Sequence, residues 1–395
     1  MSEGLDREER DQAPEAPSGT GADEAPAAAA TPAAPRAARQ WVLMRGASMD
    51  LRAGAGILPE FPRVLRSAAG RPHLCALVCE EGAPEGAVRD LRENLSDQGF
   101  EVRCATLAHA GCDLAAVGRF DEALAEAHVT ADDMVLVVGG FETLSVASFA
   151  CAGWCGGVQL AEVPLDLPSA VTAATTPRAL DAAGLPRMVA QDGVARYAAL
   201  DLDLVAADPA SEPALLGFSL MVQGAMCESD RSFGRLWDAA ADLAAGDADA
   251  LAAQLQDSVK SRGKVASATS AAMRQSLEFG TTFATALRSL APEVGAGVAL
   301  ADGMRFASRL GVAQETLSID DMLAVDEVLD RLGVPTARAS VDPEALAARI
   351  REERFRRSSR FMLAVPRGLG RVRLAVMTDE LLAEHAAAWC ASRPA

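Results

Sequence analysis

Two hydrophobic periods divide the chain. Leu74-Cys75-Ala76-Leu77-Val78 and Met134-Val135-Leu136-Val137-Val138 are short, unbroken apolar runs, the pattern of strands covered on both faces. Glu101-Val102-Arg103-Cys104 opens another strand. Between them, residues 87–98 place Val88, Leu91 and Leu95 at helical spacing before Gly99, and residues 121–128 form a second helix. Gly139-Gly140 follows the Met134 strand at once, and a helix then continues to about Trp154. Strand, tight glycine turn and helix in succession predict a parallel sheet of the nucleotide-binding kind over 41–208.

From about Pro209 the pattern turns almost wholly helical. Residues 320–332 carry Met322, Val325, Val328, Leu329 and Leu332 on one face, with Asp320 as the expected N-cap and Gly333 and Pro335 as the stop. Asp342-Pro343-Glu344 reads as a cap with proline in the first turn. Near the end, Phe361-Met362-Leu363-Ala364-Val365 and Val372-Arg373-Leu374-Ala375-Val376 flank Gly368-Leu369-Gly370 and predict a short hairpin. The expected fold is α/β, an N-terminal Rossmann-like domain at 41–208 followed by a mostly α-helical domain at 209–395. Residues 1–40, rich in Ala, Pro, Glu and Asp, bury too little apolar surface to offset their ordering entropy and are expected to be a disordered tail.

Composition narrows the partners. Half of the 395 residues are hydrophobic but only 4% are aromatic, so the core is built from Ala, Leu and Val. A formal net charge of -18 argues against nucleic acid and against anionic membranes. No apolar run is long enough to span a bilayer. The charged start lacks a secretory signal's apolar segment, which points to the cytoplasm. Eight cysteines without a CxxC pair are expected to be free, buried thiols.

Candidate chemistry begins at the glycine turn. Glycines between a strand and a helix let backbone amides approach a pyrophosphate at the helix N-terminus, and they equally suit a purely structural turn. Further on, Lys260, Lys264 and Arg274 offer a cationic patch for a phosphate or carboxylate, although solvated helix charges have the same pattern. A divalent metal requires several carboxylates or imidazoles at one point, and none of the four histidines, His73, His109, His128 and His385, falls in the stretch that holds Lys260, Lys264 and Arg274.

Leu277-Glu278-Phe279-Gly280-Thr281-Thr282-Phe283-Ala284-Thr285-Ala286 and Ala296-Gly297-Val298-Ala299-Leu300-Ala301-Asp302-Gly303-Met304 resemble two signatures of the 3-dehydroquinate synthase family, Gly-His-Thr-Phe-Gly-His-Ala and His-Gly-Glu-Ala-Val-Ala-x-Gly-Met. Gly139-Gly140-Phe141 with Ser145 is similar to the family's Gly-Gly-Gly and following Asp. Val163-Pro164 is similar to its Val-Pro-Thr-Thr-Leu. The next family segment carries an Asp and a Lys, here Thr172 and at best Arg178. Gly217 opens the counterpart of Gly-x-x-Glu-x-x-Lys, here with Leu220 and Gln223. Lys260 and Arg274 keep their places, but the acidic cluster between them has become Ser267-Ala268-Thr269-Ser270.

The resemblance covers roughly 41–376. It implies NAD near Gly139, Gly140, Val163 and Pro164, and Lys260 and Arg274 as the remaining catalytic residues. It also implies that the family's zinc or cobalt is absent, because its one Glu and two His are Leu220, Thr281 and Ala296 here. The family oxidises an alcohol with NAD, eliminates phosphate, reduces the ketone and closes a ring, with the metal polarising substrate oxygens. The expectation is a catalytically degenerate member of this shikimate-pathway lineage with a binding or partner-stabilising role. It would hold a small phosphorylated ligand and form a homodimer or a hetero-oligomer with an intact homologue. The alternatives are an active synthase or related sugar-phosphate cyclase with a rearranged site, and a small-molecule sensor that uses the nucleotide cleft.

Overall fold

The computed structural model describes residues 38–44, 47–69, 74–108, 111–173, 179–191 and 195–393. Most of the expected tail, residues 1–37, lies outside them, as does Arg178. The chain runs through β1 (Ala38–Met44), β2 (Ala47–Gly54), α1 (Phe61–Ala69), β3 (Leu74–Glu80), α2 (Glu85–Asp97), β4 (Glu101–Leu107), α3 (Leu114–Glu126), β5 (Met134–Gly139) and α4 (Phe141–Gly153). It continues through β6 (Gln159–Pro164), α5 (Leu167–Val171), the hairpin β7 (Ala179–Ala182) and β8 (Leu185–Ala190), β9 (Tyr197–Asp201) and α6 (Leu202–Val205). The sheet therefore begins before residue 41, because residues 38–40 already pair with β2.

Seven strands form one sheet in the order β1-β2-β9-β6-β5-β3-β4, all parallel except the antiparallel edge strand β1. Every residue of β5 is buried, as its continuous apolar run requires. Leu136 and Val138 pack under Leu91 and Leu95 of α2, whereas Val135 and Val137 join the larger core that extends into the helical half. The chain adds β4 on one side of β3 and then β5 on the other. The carboxyl ends of β3 and β5 thus flank the topological switch point, where open α/β sheets offer a crevice.

The second half contains α7 (Glu212–Glu228), α8 (Asp230–Ala244), α9 (Ala248–Ala266), α10 (Ala271–Arg274), a 3-10 turn over Gln275–Glu278, α11 (Thr281–Leu290), α12 (Ala296–Ala313), α13 (Ile319–Arg331), α14 (Pro343–Phe355), the hairpin β10 (Met362–Pro366) and β11 (Val372–Val376), and α15 (Asp379–Ala391). No helix among the described residues is long and apolar enough to cross a membrane. α7 is buried nearly all round and packs against α5, α9 and α12, while α9 also lies on β1 and β2.

Some local expectations shift. α3 starts at Leu114, not 121, because the Asp113 side chain caps it through Ala116 N and Val117, Phe120 and Leu124 extend its buried face. α13 is capped by Ser318, whose hydroxyl accepts from Asp321 N. This leaves Asp320 and Asp321 in the first turn, where the helix dipole favours them. All eight cysteines are free, but Cys104 and Cys155 are exposed. Cys155 lies just beyond α4, with φ 51°.

The glycines in the signature segments serve close packing. Gly280, at φ 77°, starts α11, and a Cβ there would lie 2.8 Å from Met304 N. A Cβ on Gly303 would lie 2.1 Å from Gly280 O. Gly297 meets the backbone of Leu216, and Gly217 meets the Leu167 side chain, in the same manner. The crossings α11/α12, α12/α7 and α7/α5 all depend on these positions.

Candidate functional site

A cavity of about 330 Å³ lies where α10, the 3-10 turn, α11, the end of α14 and the β7–β8 hairpin converge. Three arginines line it, Arg187, Arg274 and Arg357, against two glutamates, Glu278 and Glu353. Thr281, Thr282 and Thr285 supply hydroxyls from α11. In a chain of net charge -18, a cavity with one more positive than negative group is a local reversal of sign.

The charged groups are held by their neighbours. Arg357 donates to the carbonyls of Arg187 at 2.9 Å and Pro186 at 2.6 Å, tying the end of α14 to the hairpin. Arg187 itself has φ 53°, an uncommon conformation for a residue with a side chain, and its amide donates to Asp181 at 2.7 Å. Arg187 is exposed as a residue, yet desolvation of its guanidinium lowers its pKa from the ordinary arginine value, and the like charge of Arg357 acts in the same direction. Arg274 donates to Ala268 O at 2.7 Å and Thr269 O at 3.0 Å. Behind the wall, buried Arg354 pairs with Glu278 at 2.9 Å, and its Nε has no hydrogen-bond partner. Glu353 is buried and accepts from Arg356 at 2.7 Å.

A polar chain runs inward from Thr281. Gln223 Nε2 donates to Thr281 Oγ1 at 3.2 Å and to Phe279 O at 2.8 Å. Its Oε1 accepts from Arg262 at 3.2 Å, and Arg262 also donates to Leu220 O at 3.0 Å. Arg262 is fully enclosed, and burial lowers its pKa to about 10. A guanidinium therefore sits beside two positions, 220 and 223, at which the family carries a metal ligand and a lysine.

The residues here do not suit the family's divalent metal. Leu220, Thr281 and Ala296 supply no carboxylate or imidazole, and among the described residues no group of three His, Cys, Asp or Glu side chains converges. Arg262 adds a fixed positive charge that a divalent cation would have to approach.

The structure brings Gly139, Gly140, Val163 and Pro164 together at the carboxyl ends of β5 and β6, with Gly139 opposite Pro164 in register. Arg274 lines the arginine cavity. Lys260 is exposed on α9 and is not part of the lining, while Lys264 pairs with Glu228. Sequence reasoning missed Arg187, Arg357 and Arg262. The first two come from segments about 170 residues apart, so no local spacing marks them. Arg262 lies between Lys260 and Lys264 and looks like one more solvated charge until α7 is laid over it.

The glycine turn holds an internal ligand. Glu80 at the end of β3 reaches across the switch point, and its Oε2 accepts from Gly140 N at 2.6 Å and Thr143 Oγ1 at 2.9 Å. A second cavity, about 420 Å³, lies between β4 and α2 and is lined by Cys79, Glu80 and Cys104. Burial raises both thiols, Cys79 to about 12, which disfavours the reactive thiolate there.

A six-stranded parallel sheet with one antiparallel edge strand, followed by a helical half that encloses a cationic cavity, defines a Rossmann-like α/β architecture with a helical second half. Residues 217–354 match the family described as 3-dehydroquinate synthase C-terminal. A 3-dehydroquinate synthase of Caulobacter vibrioides is 25% identical over 346 residues, 81% of this chain and 90% of its own length. One from Leifsonia xyli subsp. xyli is 27% identical over 330 residues, 80% of this chain and 89% of its own length. Over most of its length the chain is thus similar to 3-dehydroquinate synthases, with the family match confined to the helical half.

Among solved structures, a 2-deoxy-scyllo-inosose synthase complexed with carbaglucose-6-phosphate, NAD+ and Co2+ has a TM-score of 0.73 at 15% identity, covering 88% of this chain and 99% of its own. A 2-epi-5-epi-valiolone synthase from Streptomyces hygroscopicus subsp. jinggangensis 5008 with NAD+ and Zn2+ bound also has a TM-score of 0.73 at 15% identity, covering 88% of this chain and 98% of its own. At this identity the likeness is one of fold.

Proposed function

We propose that this protein is a binding member of the 3-dehydroquinate synthase lineage. It holds a small phosphorylated anion in the arginine cavity and has lost the ring-forming reaction of the shikimate route. The observation that carries the reading is the convergence of Arg187, Arg274 and Arg357 on one cavity, with the metal-ligand positions taken by Leu220, Thr281 and Ala296. Guanidinium groups bind phosphate oxygens through paired, charge-assisted hydrogen bonds, and the threonine hydroxyls can complete the shell. Two of the family's reactive positions are filled by the Arg262–Gln223–Thr281 chain, which positions side chains but offers no group for proton abstraction. Such a protein would act as a homodimer or beside an intact homologue, whose stability or output it would modulate.

Two measurements test this. Calorimetric titration with inorganic phosphate and with carbaglucose-6-phosphate should give saturable binding, weakened about tenfold or more in Arg187→Ala, a loss of roughly 1.4 kcal/mol. No heat with either ligand up to about 10 mM would remove the binding role. Complementation of a 3-dehydroquinate synthase knockout should fail, and growth rescue would establish instead the active enzyme with a rearranged site.

A further inference from the structure

We infer that Glu80 closes the dinucleotide crevice of this fold from within, so that the glycine turn receives the protein's own carboxylate and not a pyrophosphate. The crevice lies between the carboxyl ends of β3 and β5, the switch point at which such sheets bind ligands. A bound pyrophosphate there depends on backbone N–H groups and on the positive end of the following helix. Gly140 N, the N-cap amide of α4, already donates to Glu80 Oε2 at 2.6 Å, and Thr143 in the first turn donates to the same oxygen at 2.9 Å.

The glycines are shaped for this internal contact. A Cβ on Gly139 would lie 2.8 Å from the Thr143 side chain and 3.0 Å from Glu80 Oε2. A Cβ on Gly140 would lie 3.5 Å from Glu80 Oε2 and 3.4 Å from Asp166 Oδ2. Two carboxylates therefore border Gly140, and their charge repels an incoming phosphate. Asp166 is fixed in place, because its other oxygen accepts from Ser169 N at 2.7 Å and caps α5.

Glu80 also lines the cavity of about 420 Å³ between β4 and α2, which lies in the range of about 300–1,000 Å³ usual for small-molecule sites, so it is the carboxylate and not the lack of space that guards the turn. The arginine cavity, at about 330 Å³, reaches that range. What does not fit NAD is the glycine turn itself, whose amide is already bonded to the Glu80 carboxylate.

The test uses the full chain, NADH followed by its fluorescence, and inorganic phosphate followed by thermal melting. Wild type should show no saturable NADH binding up to about 1 mM. In Glu80→Ala, phosphate should take the vacated place on Gly140 N and raise the melting temperature, with no such rise in wild type. Glu80→Gln keeps an acceptor on Gly140 while removing the charge, and covers the case in which Glu80→Ala does not fold. Saturable NADH binding to wild type that falls about tenfold in either variant would make Glu80 a cofactor ligand and overturn the inference. Phosphate that stabilises wild type as much as the variants would overturn it too, as would a lack of any phosphate effect on both variants.

Discussion

Arg262 offers the sharpest quantitative test of the buried polar chain that runs inward from Thr281. Lowering its pKa from 12.5 to about 10 corresponds to a burial penalty of about 3 kcal/mol. Its bonds to Leu220 O and Gln223 Oε1 offset this, since hydrogen bonds to charged groups contribute about 1.5–3 kcal/mol each. Arg262→Met relieves the penalty but orphans Gln223 Oε1, and should cost a net of about 1–2 kcal/mol. Gln223→Met keeps the buried guanidinium and removes an acceptor, so it should cost more, about 3–5 kcal/mol. The double variant removes charge and partner together and should be more stable than the sum of the singles by at least about 1 kcal/mol. Urea unfolding followed by tryptophan fluorescence measures all three. Additivity within about 0.5 kcal/mol, or a Gln223→Met cost below about 1 kcal/mol, would refute the view that the two side chains form one buried unit. The same logic predicts that Gln223→Lys, which restores the family's residue, destabilises the protein by placing a second cation beside the first.

Gly303→Ala should cost about 3 kcal/mol or more, because its Cβ would meet the Gly280 carbonyl 2.1 Å away, while Gly234→Ala in α8 meets nothing within 4 Å and should stabilise by up to about 1 kcal/mol; chemical denaturation of both variants checks the contrast. Glu228 sets an acid limb: burial alone would raise its carboxyl, but hydrogen bonds from Lys264, Ser229 and Ser232 outweigh that and hold it at about 2, against an ordinary value of 4.5. A depressed carboxyl contributes stability above pH 4.5 that is lost as the pH falls toward 2. Glu228→Gln should therefore flatten the unfolding free energy over that window, and an unchanged profile would count against the assignment.

Strands β3 and β5 were legible because burial on two faces leaves an unmistakable apolar run, and helices such as α14 because caps such as Asp342, which accepts from Ala345 N, act within one turn. The β10–β11 hairpin followed from alternation and its glycines in the same way. The family resemblance was also legible, since Gly217, Gly280, Gly297 and Gly303 are required wherever these helices cross, whatever the site does. Where the charged side chains go was not. Arg262 and Lys260 are two residues apart on α9, yet one is sealed under Gly224 and the other is in solvent.

Local periodicity thus determined many of the elements and their order, because those depend on neighbours within a few residues, and the resemblance rested on short motifs. Only the tertiary structure decided which side chains surround the glycine turn and the arginine cavity. Glu80 reaches Gly140 across 60 positions of sequence, and Arg357 reaches Arg187 across 170. Contacts over such separations are created by the packing of whole elements, and a glycine turn or an arginine has the same sequence signature whether its partner is a ligand or the protein itself.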